Sequence, residues 1–400
     1  MYQIHSDFTK LEPKAVTEEA LNGIIESRVV NVSMLASPII IQKIELIFNH
    51  GTYFVRTTSK DGLVGIGVCN DRVKFCYQIL EQQIAPYFIG KDARDLEALM
   101  DQVYVYEANY KLVGLPYYNC IAYLELSILD MLAKAANCSI GDLFGERINE
   151  TANIYVASGN RHTTPEEELE VLRARVERSG AKAIKYKIGG RMSKNADSME
   201  GRSEELIYAT RKFFGDEMII HADGNGSYDV EHAIRYGKIL EDINAYFYEE
   251  PCPFEDIWST KAVRDGLTIP LAFGEQETSL TRFKWLIANN GVDVVQPDIL
   301  YNGGLIRTTK VAKMAELAGK PITPHVSGGF CFVYILILSS YTPNIGKYQE
   351  SKTGYDIAKA LLGDNLVFAN GQYRIPNTIG VGVDEKHDIL RDAICLFDVH

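Results

Sequence analysis

From residue 151 onward, short apolar runs alternate with amphipathic segments. The apolar runs fall at 152–156, 183–188, 218–222, 245–248, 269–273, 292–295, 321–323 and 346–349. Most gaps between them carry helical periodicity, as at 165–179 and 231–242. Thr164 is placed to cap the first of these, with Pro165 at the first helical position. Eight strands separated by helices predict an α/β chain with a parallel barrel rather than an open sheet. Upstream the pattern differs. Strand-like runs at 39–48, 53–58 and 64–69 are followed by helical periodicity at 73–87, 95–106 and 118–136. Asp61-Gly62 between the last two runs is a hairpin turn signal. The chain therefore divides into an N-terminal arm (1–36), an α+β module (37–150), a barrel (151–366) and a tail (367–400). The strand-like stretch 373–383 in the tail is expected to return to the first module.

Polar residues punctuate the barrel pattern. Asp223, Glu249, Glu275, Asp298, His325 and Glu350 are separated by 26, 26, 23, 27 and 25 residues, the length of one βα unit. Each closes or follows an apolar run and precedes a loop. Side chains delivered one per unit at strand C-termini are how a barrel builds an active site.

Composition narrows the partners. The 400 residues are 46% hydrophobic and 24% charged, as in an ordinary globular protein. A net charge of −12 argues against nonspecific nucleic-acid binding. Seven scattered cysteines without a C-x-x-C pair read as free thiols in a reducing compartment. No signal-peptide pattern opens the chain, and the most apolar run, 330–338, is too short to span a bilayer. A cytoplasmic protein without membrane partners is expected.

Three local signals carry the chemistry. Lys185 and Lys187 alternate on one strand and point the same way, into a barrel mouth. Crowding and desolvation are expected to lower the pKa of one while the other stays cationic beside an anion. Asp223, Glu249 and Glu275 end three successive strands. Singly, each reads as a helix cap or a surface acid. Together they repel unless a hard cation sits among them, and oxygen-only ligation fits Mg²⁺. Asn225 is placed to steady these ligands, and His221, one layer below Asp223, reads as a core histidine. Asp298 and His325 end adjacent strands, where the carboxylate would fix the imidazole tautomer and raise its basicity.

This constellation resembles the mandelate racemase subgroup of the enolase superfamily over about residues 37–385. The resemblance rests on K-x-K at 185–187, the carboxylates at 223, 249–251 and 274–275, P-D at 297–298, His325 and Glu350. It implies a modified (β/α)7β TIM-type barrel under an α+β capping domain built from 37–150 and the C-terminal tail. It also implies Mg²⁺ on Asp223, Glu249 and Glu275. Lys187 would be the base on one face of the substrate α-carbon, with the His325–Asp298 pair on the other. Lys185 would hold the substrate carboxylate, and a protonated Glu350 would donate a hydrogen bond to it. A Lys or His base working with Mg²⁺ is the general scheme of that superfamily, and it is implied by the resemblance rather than by the spacing. The implied activity is dehydration of an acid sugar by a homo-oligomer. A racemase or epimerase of a 2-hydroxy acid is the alternative, and a non-catalytic Mg²⁺/organic-acid binder is the reading of another class.

Two departures from the family bear on specificity. The first capping hairpin is short, turning at 49–51, and the N-terminal arm is long; an arm that replaces the usual covering loop, or a more open pocket, would follow. Arg161 and His162, beyond the first barrel strand, are candidates for distal hydroxyls or a second carboxylate, or else lie on a solvated loop. Arg191 is similarly placed.

Overall fold

A computed structural model describes residues 12–352 and 356–400. The cap sheet contains β1 (Ile41–Asn49), β2 (Thr52–Ser59) and β3 (Val64–Val68), all antiparallel. The helix Leu115–Ala135 lies on β2 and β3 and is buried over almost its whole length. Gly65 and Gly67 permit this approach, because a Cβ at either would collide with the helix backbone at Ser127 or Tyr123.

The barrel strands are β4 (Thr151–Ala157), β5 (Ala183–Lys187), β6 (Ile219–Asp223), β7 (Phe247–Glu249), β8 (Leu271–Phe273), β9 (Val294–Val295) and β10 (Tyr348–Ser351). β4 to β9 pair in parallel in chain order, and β10 returns parallel to β4. Between β9 and β10 the ring is completed by single parallel bridges, Val295 to Ile322 and Ile322 to Ile345. The seventh predicted strand is thus a stretch of isolated bridges. Seven helices alternate with these eight positions, which gives the (β/α)7β order. The predicted cap on the helix Pro165–Ser179 is present as a full capping box between Thr164 and Glu167.

The apolar run at 330–338 forms the helix Cys331–Tyr341, buried on all sides. Among the described residues no helix is long and apolar enough to cross a membrane. All seven cysteines are free thiols.

The tail differs in detail from the sequence expectation. β11 (Val367–Ala369) and β12 (Gln372–Arg374) form a hairpin whose second strand pairs with the start of β4. Tyr373 therefore stays on the barrel, and the chain meets the cap at Gly380, which bridges Ser139. The strand that joins the cap sheet lies further on, at β13 (Ile394–Val399), antiparallel to β1.

Residues 1–11 of the expected arm lie outside the described residues. The helix Glu18–Glu26 packs on the barrel helices Leu280–Ala288 and Leu305–Leu317, with Leu21 buried among their side chains. The described arm thus covers the outside of its own barrel and does not stand in for a loop over the mouth. The short hairpin is tied to the tail, since Asn49 Nδ2 donates to Ile389 O (2.9 Å).

Polar contacts dock the cap onto the barrel. Val68 N–H donates to Tyr334 Oη (2.7 Å), and Arg72 Nε donates to Tyr301 Oη (2.7 Å). Glu125, buried in the cap helix, accepts from Ile306 N–H at the start of a barrel helix (3.1 Å). Burial pushes the Glu125 carboxyl up to about 8, above its ordinary 4.5. The folded state therefore binds this proton more tightly than the unfolded chain, so its contribution to stability is lost as pH rises from about 4.5 to about 8. Glu125→Gln removes that dependence. The melting temperature of the variant relative to wild type is expected to climb between pH 5 and pH 8, by an amount equivalent to a few kcal/mol. A difference that stays flat across that range would contradict the assignment.

Candidate active site

The register of three neighbouring strands builds the core of the site. Lys187 pairs with Asp223 across β5 and β6, and Asp223 with Glu249 across β6 and β7, so all three stand in one row at the strand ends. One layer below, Lys185, His221 and Phe247 form the next row. His221 stacks on Phe247 (4.1 Å between ring centroids) and meets Tyr155 edge-on (4.6 Å), as a core histidine does. Glu275 lies just past β8, beyond Gly274. Gly274 has φ +132°, and a Cβ there would press on Phe283, so the chain needs glycine to turn Glu275 toward the row.

Both lysines are buried and matched to carboxylates rather than to each other. Lys185 Nζ lies 2.7 Å from Glu249 Oε2, 2.8 Å from Glu350 Oε1 and 3.7 Å from Asp223 Oδ2. Lys187 Nζ donates to Asp223 Oδ2. Burial by itself would lower the Lys185 pKa, but Glu249 and Glu350 outweigh it and hold the group well above the ordinary lysine value. Lys185 is therefore firmly cationic, the state expected of the lysine that stays charged beside an anion.

Asp223 and Glu249 are buried and Glu275 partly so; one oxygen from each lies within 4.8 Å of the other two. Burial acts to raise all three carboxyls. Lys187 and Lys185 overcome this at Asp223 and hold it far below the usual range, and His325 and Lys187 lower Glu275. Glu249 goes the other way: burial, then repulsion from Asp223, push it well above the usual range. Glu250 rises too, through burial and then Glu275 and Asp223. Glu249 Oε1 and Glu275 Oε2 accept no hydrogen bond from the described residues. Crowded carboxylates with unused oxygens and no nitrogen or sulfur donor among the three suit a hard divalent cation.

Asn225 takes the steadying place expected for it. Its N–H donates to Asp223 Oδ1 (2.8 Å), and its Nδ2 lies 3.4 Å from Glu275 Oε1. Arg161 is buried and donates to Asn225 Oδ1 (2.7 Å) and Gly189 O (3.1 Å), so its guanidinium braces the ligand shell. His162 is exposed on the same loop, outside the buried cluster.

On the far side of the ring, Asp298 and His325 form a parallel bridge, and His325 Nδ1 lies 2.8 Å from Asp298 Oδ2. Asp298 Oδ1 accepts from Leu300 N–H (2.8 Å), Tyr301 N–H (3.0 Å) and Ser327 Oγ (3.2 Å). Asn70 of the cap donates to Ser327 Oγ (3.1 Å), which links cap docking to the pair. His325 Nε2 faces Glu275 Oε2 at 3.4 Å.

Glu350 is fully buried, and its protonation differs from the expectation. Burial would raise its pKa, but Lys185, then Lys352 and His325, outweigh it and hold the carboxyl well below the usual range. In this arrangement Glu350 is an ionised acceptor, receiving the Val326 N–H (3.0 Å), and not a protonated donor. Two residues were missed from the sequence. Glu250 was visible as the second acid of Glu-Glu-Pro. Lys352 stands two residues past Glu350, at the same period-2 spacing that identified Lys185 and Lys187.

Residues 24–145 match the mandelate racemase/muconate lactonizing enzyme N-terminal domain, and residues 167–389 match the enolase C-terminal domain-like family. The chain belongs to the mandelate racemase/muconate lactonizing enzyme family of the enolase superfamily. Arabinonate dehydratase of Saccharolobus solfataricus is 27% identical over 84% of this chain and 89% of its own length. L-talarate/galactarate dehydratase of Salmonella typhimurium is 27% identical over 81% of this chain and 78% of its own. D-galactarolactone cycloisomerase of Agrobacterium fabrum is 27% identical over 83% and 88%. Among solved structures, a mandelate racemase/muconate lactonizing protein from Paracoccus denitrificans Pd1222 superposes with a TM-score of 0.81. It is 25% identical and covers 90% of this chain and 99% of that one.

Proposed function

We propose that this protein is a Mg²⁺-dependent hydro-lyase that dehydrates an acid sugar, an aldonate or aldarate, to a 2-keto-3-deoxy acid. The observation that carries this reading is the in-register row of Lys187, Asp223 and Glu249, with the Asp298–His325 pair across the barrel mouth. The dehydratase names of relatives that span most of the chain support the substrate class.

Asp223, Glu249 and Glu275 are the residues that would hold the ion. Bound there, Mg²⁺ would supply positive charge to offset the negative charge that a carboxylate gains when its α-proton leaves. Lys185, cationic and fully buried, adds charge on the same side. Lys187 takes the α-proton. Asp298 anchors His325 through Nδ1, which leaves Nε2 directed into the site at the opposite face. Loss of the 3-hydroxyl as water then gives the enol of the 2-keto acid.

Incubation with Mg²⁺ and a library of aldonic and aldaric acids tests the reading. At least one acid is expected to yield a 2-keto acid that reacts with semicarbazide. Inversion at C2 without a keto product would make the protein a racemase. Neither product nor α-deuterium exchange in D₂O across a broad library would leave a binding protein.

A further inference from the structure

The last barrel strand brings a third lysine to the reacting nitrogen. Lys352 Nζ lies 2.8 Å from His325 Nε2, 2.9 Å from Val326 O and 3.4 Å from Glu350 Oε2. Glu350 and Lys352 are two residues apart, so both side chains face the barrel mouth. Asp298 Oδ2 sits on the other ring nitrogen, Nδ1, and Nε2 also faces Glu275 Oε2 at 3.4 Å and Glu350 Oε2 at 3.9 Å.

We propose that Lys352 is the catalytic acid for the departing hydroxyl. Resting on the dehydratase reading, this assigns the leaving-group side of that same site to a lysine beside the histidine. Two considerations lead to it. A substrate oxygen that reaches His325 Nε2 also comes within reach of Lys352 Nζ, because the two nitrogens are in contact. Cleavage of the C3–O bond also needs a proton, and an ammonium placed at that oxygen has one to give. In the balanced step the Cα–H bond breaks and its proton goes to Lys187. The electron pair forms the C2–C3 double bond as the C3–O bond breaks, and the oxygen takes a proton from Lys352 and leaves as water. The enol then loses its C2 hydroxyl proton and gains one at C3, giving the 2-keto-3-deoxy acid. Lys187 and Lys352 exchange protons with solvent to restore their starting forms, and no oxidant or second substrate is consumed.

The alternative is that Lys352 only balances the charge of Glu350. Two variants distinguish these roles in D₂O: Lys352→Met, and Lys352→Arg, which keeps the charge but holds its proton too tightly to give it up. Both are expected to lose elimination by about 100-fold or more. Both are also expected to return unreacted substrate carrying deuterium at the α-carbon, because Lys187 still acts. Recovery of elimination in the arginine variant would reduce Lys352 to charge balance and overturn the proposal. So would an equal fall of exchange and elimination, or wild-type rates in the methionine variant. A wild-type protein that inverts substrates without losing water would instead remove the dehydratase reading, and this inference with it.

Discussion

Lys187→Met is expected to give a folded protein that has lost turnover, with kcat down by about 10⁴-fold, the upper end for a positioned base. The size of the effect follows from the geometry. Lys187 is the strand-end amine in the row with Asp223 and Glu249, and Lys185, the other lysine of the pair, is held cationic by Glu249 and Glu350. Lys185 therefore cannot take over as base. The fold is expected to survive, because Asp223 keeps the Asn225 N–H and Lys185 nearby, and methionine fills a similar volume. Circular dichroism and melting establish the fold; keto-acid formation and α-deuterium exchange measure the chemistry. Both activities are expected to vanish together. Exchange at the wild-type rate in this variant would mean that another group removes the α-proton.

Removing a metal-binding carboxylate is expected to have an effect of similar size with a different signature. Asp223→Asn and Glu249→Gln each delete one charge from the cluster that would hold the ion. Wild-type protein is expected to melt higher as Mg²⁺ is added, by the equivalent of about 2.7 kcal/mol at a hundredfold excess over Kd. It is also expected to lose activity to a chelator and regain it with Mg²⁺. In either variant the Mg²⁺-dependent rise in melting temperature should be absent and turnover should fall by several orders of magnitude. A chelator-treated enzyme that keeps full activity would break the link between these acids and catalysis.

The architecture was legible because barrels repeat. One strand, one helix and two loops set the spacing of about 25 residues, and burial on both faces makes each strand an apolar run that ends in a polar residue. All eight strand positions could be found that way, and the cap at Thr164 from its residue type ahead of Pro165. What escaped lacked a periodic signature. β13 is an edge strand with Ile394 and Leu396 exposed and Phe397 buried, so no clean inside–outside alternation marks it. The helix Val73–Ile79 passes into a π-helical segment, Leu80–Ile84, that helical periodicity alone does not reveal. In the site, residue types and positions were readable, but the charge state of Glu350 was not. It depends on which groups the fold brings within about 4 Å, and only the folded arrangement shows Glu350 beside Lys185, Lys352 and the His325 ring. Lys352 was overlooked because the series of one polar residue per βα unit closes at Glu350, although the two-residue spacing was present in the chain.

In the proposed mechanism Asp223, Glu249 and Glu275 share one divalent ion beside the α-carbon of a bound carboxylate. A crystal structure with Mg²⁺ and a non-reacting hydroxy acid measures this directly. The expected result is one octahedral ion with an oxygen from each of the three acids at about 2.0–2.1 Å, and the α-carbon of the ligand between Lys187 Nζ and His325 Nε2. An ion bound elsewhere, or a ligand whose α-carbon lies out of reach of both nitrogens, would contradict it.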